Sequence, residues 1–219
     1  SDGEYKGIDV ELAKEAFRRL GYRPKFENIV WEDKDELLAD GTVDCLWSSY
    51  SMNGREDKYQ WAGPYLYSRQ MVVVKNESEI QTLSDLKGKR IAVQATTKAE
   101  DLFLHNIKSD LPQMQQVNCF STTNEIYAAL RKNYVDAIAG HEAMLGSLVK
   151  EGKDAYRMLD ESIYKSELGV AFKKGTHEEV AADLTETLKK LQREGITEKI
   201  VTKYGLDADE ILPEGEQNE

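Results

Sequence analysis

Asp44-Cys45-Leu46-Trp47-Ser48-Ser49-Tyr50-Ser51-Met52-Asn53-Gly54-Arg55 is the stretch that decides how this chain reads. Residues 43–47 make a short apolar run, bounded by Gly41 on one side and a serine pair on the other, which predicts a buried strand. The strand then gives way to hydroxyl side chains, a glycine and an arginine. At the carboxyl end of a strand in a parallel sheet, such a loop is where a ligand is sought.

The flanking sequence supports a parallel sheet. Upstream, Ile8, Leu12, Ala16 and Leu20 recur at helical spacing, with Ala13 and Phe17 beside them, until Gly21 supplies a stop. Residues 24–30 read as a strand and residues 33–40 as a short helix. Downstream, residues 70–75 contain the run Met71-Val72-Val73-Val74, residues 83–87 a helical turn, and residues 90–94 a strand leading to a helix near Thr97. Residues 117–120 are a strand, and Thr122 with Glu125 makes a capping box that opens a helix to Arg131. Residues 135–139 are a strand before a helix from about His141, and residues 168–173 a further strand. Helices over residues 178–193 and 197–204 follow, then an acidic tail read as loosely ordered. This alternation predicts an α/β fold of mostly parallel sheets with helices on both faces, so function is sought in the loops after Trp47, Gln94 and Ala139.

Composition narrows the partners. The 219 residues, 40% of them hydrophobic, suffice for one large α/β domain or two small lobes. Lys and Arg number 29 against 40 Asp and Glu, and the net charge of −11 argues against nucleic acid or an anionic membrane, which need a basic face. Cys45 and Cys119 have neither the number for a disulfide scaffold nor the spacing of a zinc site, and both are expected as free thiols. No apolar run approaches the roughly 20 residues of a membrane span. The start, Ser1-Asp2-Gly3, has no signal pattern, which leaves a mature or trimmed product open.

The order of these motifs resembles the bacterial extracellular solute-binding proteins of the polar amino-acid-binding type, family 3, the receptors of ABC transporters. The quoted loop continues to Trp61-Ala62-Gly63-Pro64-Tyr65, as it does in that family. Gly7-Ile8-Asp9-Val10-Glu11-Leu12-Ala13 is similar to its first-helix signature, and residues 83–89, Leu-Ser-Asp-Leu-Lys-Gly-Lys, to its second-lobe entry. Val135-Asp136-Ala137 is similar to the strand before its later ligand loop, so the resemblance runs from Gly7 to about Tyr204. It implies a two-lobed, type II periplasmic-binding-protein fold, each lobe a mostly parallel sheet flanked by helices. Residues 1–68 and 168–219 would form one lobe and residues 69–167 the other, joined by two hinge crossovers. The implied activity is extracytoplasmic binding of an amino acid or related small carboxylate in the cleft, by a monomer that delivers it to a membrane permease and needs no cofactor. The resemblance also implies that the family's first strand would precede Asp2-Gly3-Glu4-Tyr5, so that the chain begins late relative to the family.

The resemblance also assigns roles. A guanidinium grips a carboxylate through two parallel charge-assisted hydrogen bonds while serine hydroxyls and backbone N–H groups fill the other lone pairs. That makes Arg55 the carboxylate anchor, with Ser48, Ser49 and Ser51 around it. The interval from Ser49 to Arg55 is one residue shorter than the commonest family pattern, and Arg55 also reads as a surface arginine pairing with Glu56 or Asp57. Trp31, eighteen residues before Ser49, is a pocket wall or else a filler between helix and sheet. Thr97 and Lys98 match positions that hold the other side of the carboxylate. Thr97 with Glu100 equally makes an ordinary capping box, and Lys98 a solvated charge. His141 stands where the family usually has an acid for the ligand's ammonium group. Adjacent Glu142 is a substitute, and a ligand without a free ammonium is the alternative.

Two other classes stay open on the same fold. One is a dehydratase-type enzyme, with Glu142 or Glu167 as the acid, although no catalytic triad order, metal cluster or phosphate loop is present to support other chemistries. The other is the sensing module of a membrane-bound signalling protein, with the acidic tail as linker.

Overall fold

The helical spacing around Leu12 is realised in full: Leu12, Ala13 and Ala16 are buried on one face of the first helix, and its first turn carries Asp9 and Glu11, its last Arg18 and Arg19. The structure, a computed structural model, describes residues 5–105 and 110–213. In chain order its elements begin with α1 (Ile8–Arg19), α2 (Lys34–Ala39), β1 (Cys45–Ser51) and β2 (Tyr59–Lys75). They continue through β3 (Arg90–Gln94), α3 (Lys98–Phe103), β4 (Gln116–Phe120), α4 (Thr123–Arg131), β5 (Ala137–His141), α5 (Glu142–Glu151) and β6 (Tyr156–Met158). The last are β7 (Tyr164–Lys173), α6 (Glu178–Arg193), α7 (Ile196–Lys203) and α8 (Ala208–Ile211).

The described chain divides into two compact units. Residues 5–29, 33–68 and 166–213 make the first, and residues 30–32 with the described part of 69–165 the second. The long strands β2 and β7 carry the chain from one unit to the other, at Ser68–Arg69 and at Lys165–Ser166.

In the first unit β1 pairs antiparallel with β7, Cys45 opposite Phe172 and Ser51 opposite Leu168. Its core joins Leu12 and Ala16 of α1 with Val170 and Phe172 of β7 and Leu184, Leu188 and Leu191 of α6. Burying each leucine contributes about 1.5–3 kcal/mol, so this seam is where the unit's stability concentrates. The acidic tail departs from expectation as far as Leu212. Asp207 caps α8 by accepting a 3.0 Å bond from the Asp209 N–H, and Ile211 is buried in the core. One apolar side chain with a place to go orders a segment whose charge alone suggested otherwise. The remaining acidic residues, Glu214, Glu216 and Glu219, lie outside the described residues.

In the second unit β3 lies between β4 and β5, parallel to both, and β2 pairs antiparallel with β5 and β6. Its run Met71-Val72-Val73-Val74 is continuous rather than alternating because both faces are covered. Val72 and Val74 pack in a cluster that includes Ala99, Leu102 and Phe103 of α3, whereas Met71 and Val73 pack in one that includes Ile126 and Leu130 of α4 and Leu145 of α5. The capping box of α4 forms, with Thr122 N–H donating to Glu125 (2.9 Å) and Glu125 N–H to the Thr122 hydroxyl (3.3 Å). The strand expected over residues 24–30 does not: they pair with no strand among the described residues, and Val30 is exposed.

Candidate functional site

In the first unit the loop over residues 44–55 is built on a bulge. The β1–β7 register shifts between Leu46 and Tyr50, and within that interval Ser49 has φ 48°, in the left-handed region. A serine held there costs roughly 1–3 kcal/mol. The offset comes from Asp9 at the start of α1. Its Oδ2 accepts the Ser49 N–H (2.8 Å) and hydroxyl (3.1 Å), and its Oδ1 accepts the Tyr65 hydroxyl (2.7 Å). Each such bond contributes about 1 kcal/mol, so together they match the strain. Although the Asp9 residue is only half-buried by area, its carboxyl is enclosed by protein. Burial raises its pKa above the usual carboxylate value, outweighing the hydrogen bonds from Tyr65 and Ser49 that lower it. The Tyr65 hydroxyl is pushed up by burial and by Asp9 beside it.

Beyond the bulge, Tyr50 turns inward. Its ring packs against Trp61 (5.4 Å between centroids) and Tyr59 (5.5 Å), and its hydroxyl lies 2.9 Å from that of Tyr59, which donates to Asp35. Met52 to Arg55 is a tight turn, with Arg55 N–H donating to Met52 C=O (2.9 Å) and Gly54 at φ 75°. The turn returns Arg55 over the Tyr50 ring, Cζ 5.2 Å from its centroid, where Nη1 donates to Ser51 C=O at 3.3 Å. The Ser51 side chain faces inward, its hydroxyl 3.3 Å from Asn53 Oδ1, which also accepts the Glu167 N–H at 2.7 Å. Ser48 is exposed.

In the second unit, β3 and β5 run parallel and end at Gln94 and His141, which brings the starts of α3 and α5 to the same end of the ladder. Thr97 occupies the N-cap of α3, but the expected capping box is absent: its hydroxyl donates backward to Gln94 C=O (2.7 Å), and Glu100 accepts instead from the Thr96 N–H (2.7 Å). The reason is local, since Thr96 at φ 58° presents its own N–H to Glu100. Lys98 is not a solvated charge. It is 4% exposed, its ammonium 3.6 Å from Asp101 and 5.8 Å from the centre of the Tyr164 ring. His141 caps α5 by position and lies within hydrogen-bond distance of the Gln70 amide, 3.0 Å from Nδ1. Glu142 is engaged by Arg69 through two bonds of 2.8 and 2.5 Å. Trp31 begins a single helical turn, Trp31–Asp33, and Glu32 accepts the hydroxyl of Ser121, the residue after β4.

The eight sequence-derived residues therefore form two sets. Ser48, Ser49, Ser51 and Arg55 share one loop of the first unit; Trp31, Thr97, Lys98 and His141 belong to the second. Asp9 and Tyr50, which shape the first loop, escaped sequence reading because an acid in a helix's first turn and a tyrosine in a strand are both ordinary. Cys45 and Cys119 are free thiols, one in each unit, and burial pushes Cys45 up to about 12. Among the described residues no three His, Cys, Asp or Glu side chains gather to hold a metal ion, and no helix is long and apolar enough to cross a membrane.

Comparison with known proteins gives a consistent result. Residues 1–207 match the family described as bacterial extracellular solute-binding proteins, family 3. The L-cystine-binding protein TcyJ of Escherichia coli K12 is 27% identical over 93% of this chain and 75% of its own length. TcyA of Bacillus subtilis 168, also an L-cystine-binding protein, is 26% identical over 90% of this chain and 72% of its own. Among solved structures, the substrate-binding protein of an amino-acid ABC transporter superposes with a TM-score of 0.81 at 26% identity, covering 93% of this chain and 90% of that one.

Proposed function

The chain belongs to the bacterial extracellular solute-binding proteins of family 3, and from that premise we propose that it binds an amino acid or a close relative outside the cytoplasm and presents it to an ABC-type permease. The observation that carries the reading is Arg55. Its guanidinium rests on Tyr50 and is tied to a carbonyl of its own loop, so it is oriented before any ligand arrives. A carboxylate is the group that a preoriented guanidinium beside serine hydroxyls recognises best. Ser48 and Ser51 would supply the remaining donors from that loop, Ser49 having both of its polar hydrogens on Asp9; Trp31, Thr97, Lys98 and His141 would contribute from the second unit. The two compact units, joined by β2 and β7, are read as the lobes of a clamp.

The ammonium end of the ligand is where this chain departs from its family. Glu142 is held by Arg69, which leaves His141 as the adjacent group. A neutral imidazole accepts a hydrogen bond but offers no standing negative charge, so we read the carboxylate as the main handle and expect N-modified amino acids to compete with free ones. Binding rather than catalysis is the activity, as in the two cystine-binding relatives.

Thermal unfolding against L-cystine, L-glutamate, L-glutamine, L-arginine and their N-acetyl forms tests this, because a ligand selective for the folded state adds about 2.7 kcal/mol at a hundredfold excess over Kd. At least one compound should raise the midpoint, and Arg55→Ala should remove the effect. A flat response across the panel, or a shift unaltered in the variant, sinks the assignment.

A further inference from the structure

Asp9 lies 40 residues from Ser49, on a different element, yet it is the acceptor for both of that serine's polar hydrogens. Three facts form a chain from it. The bulge depends on Ser49 holding φ 48°, a conformation serine rarely adopts. The bulge sets where Tyr50 rejoins the ladder, because Ser49 immediately precedes it and four residue steps of β1, Leu46 to Tyr50, span two of β7, Ala171 to Gly169. The inward-facing Tyr50 is in turn the platform over which Arg55 lies. Tyr65, donating to the other Asp9 oxygen, fixes the carboxyl from behind.

We propose that Asp9 is the positioning residue of the ligand loop: by holding Ser49 in the left-handed conformation it places Tyr50, and through Tyr50 the guanidinium of Arg55. The inference rests on the reading of Arg55 as the carboxylate anchor, but its geometric content does not depend on a ligand. Asp9 acts through Ser49 and Tyr50 rather than by touching the ligand. The fold keeps a carboxyl where burial opposes its ionisation, which fits a group retained for the loop it holds.

The test compares the full chain with Asp9→Asn, Asp9→Ala and the double variant Asp9→Ala/Ser49→Gly. Two readouts need no ligand: hydrogen exchange at the Ser49 amide, and the Arg55 side-chain Nε–H resonance, which the Tyr50 ring displaces. In Asp9→Ala the Ser49 amide should exchange about tenfold faster or more, the loss of roughly one hydrogen bond, and the Arg55 resonance should move toward its solvent value. Asp9→Asn, which keeps an acceptor for Ser49, should lie near the parent. Glycine at 49 adopts positive φ without help, so the double variant should regain the Arg55 resonance although Asp9 is gone. The affinity for whichever of L-cystine, L-glutamate, L-glutamine or L-arginine the parent binds should fall about tenfold in Asp9→Ala and recover in part in the double variant. Unchanged exchange and an unmoved Arg55 resonance in Asp9→Ala would overturn the proposal, as would loosening of the loop with no change in affinity. If the parent binds none of the four, the functional reading fails and the two ligand-free readouts alone decide the role of Asp9. Should Asp9→Ala not fold, Asp9→Asn with and without Ser49→Gly carries the same comparison on a smaller scale.

Discussion

Arg55 in the first unit and Lys98 in the second are both cations above a tyrosine ring, 5.2 Å and 5.8 Å from its centre, but they are held in different ways. The Arg55 loop takes its shape from Asp9, Tyr59 and Trp61, the first of them remote in the chain. The Lys98 turn is closed by neighbours: Thr97 on Gln94, Thr96 on Glu100, Lys98 beside Asp101. A loop shaped from a distance exists only when its whole unit is folded. A turn closed by residues three or four apart keeps its form while more of its surroundings change. The first arrangement ties its cation to the packing of the whole unit, the second mainly to its own turn.

That contrast is sharpest at Arg55. Arg55→Ala should cost about 2–5 kcal/mol of binding, at least about thirtyfold in Kd by titration calorimetry, with Arg55→Lys nearly as damaging because an ammonium lacks the bidentate fork. Lys98→Met, which keeps the length and apolar stem, should weaken binding by only about tenfold. If the two variants were equally damaging, the distinction between anchor and support would fail. Thr97→Ala removes a single local bond to Gln94 and should lower stability by about 1 kcal/mol in a denaturant melt while leaving affinity within about twofold, since the proposed contribution of Thr97 to binding is through its backbone N–H; a larger loss of affinity would assign the contact to its hydroxyl.

The smallest effect concerns two acids on α1. Hydrogen bonds from Arg18 and then Arg19 hold Glu15 at about 2, against an ordinary 4.5. Its contribution to stability is therefore present above about 4.5 and is lost as pH falls toward 2. Asp9 has the opposite sign. Its folded pKa lies above 3.8, so its contribution is greatest below that value and declines as pH rises through the raised one. Melting temperatures from pH 2 to 7 should show Glu15→Gln flattening the acid limb of the stability curve, while Asp9→Asn lifts the neutral side relative to the acid side.

Legibility followed the range of the interactions. The capping box at Thr122, the first helix from Ile8 and the doubly covered run Met71-Val72-Val73-Val74 could be read because their causes lie within a few residues. The Thr97 capping box was misread for an equally local reason, a neighbouring Thr96 that captured Glu100 first. Residues 24–30 have strand-forming side chains and still form no strand among the described residues, because a strand is defined by a partner. The acidic tail erred the other way, since Ile211 found a core that composition could not reveal.

The amino-acid sequence by itself determined the alternation of elements, the family, the acidic net charge and the loop proposed to hold the ligand's carboxylate. Those properties depend on residue type, order and short spacing. The tertiary structure decided that Ser49 bends into a bulge, that Tyr50 rather than solvent lies beneath Arg55, that Lys98 is buried and that Glu142 is occupied by Arg69. Each depends on which distant side chain arrives first at a polar group, and that competition is settled only when the chain has packed.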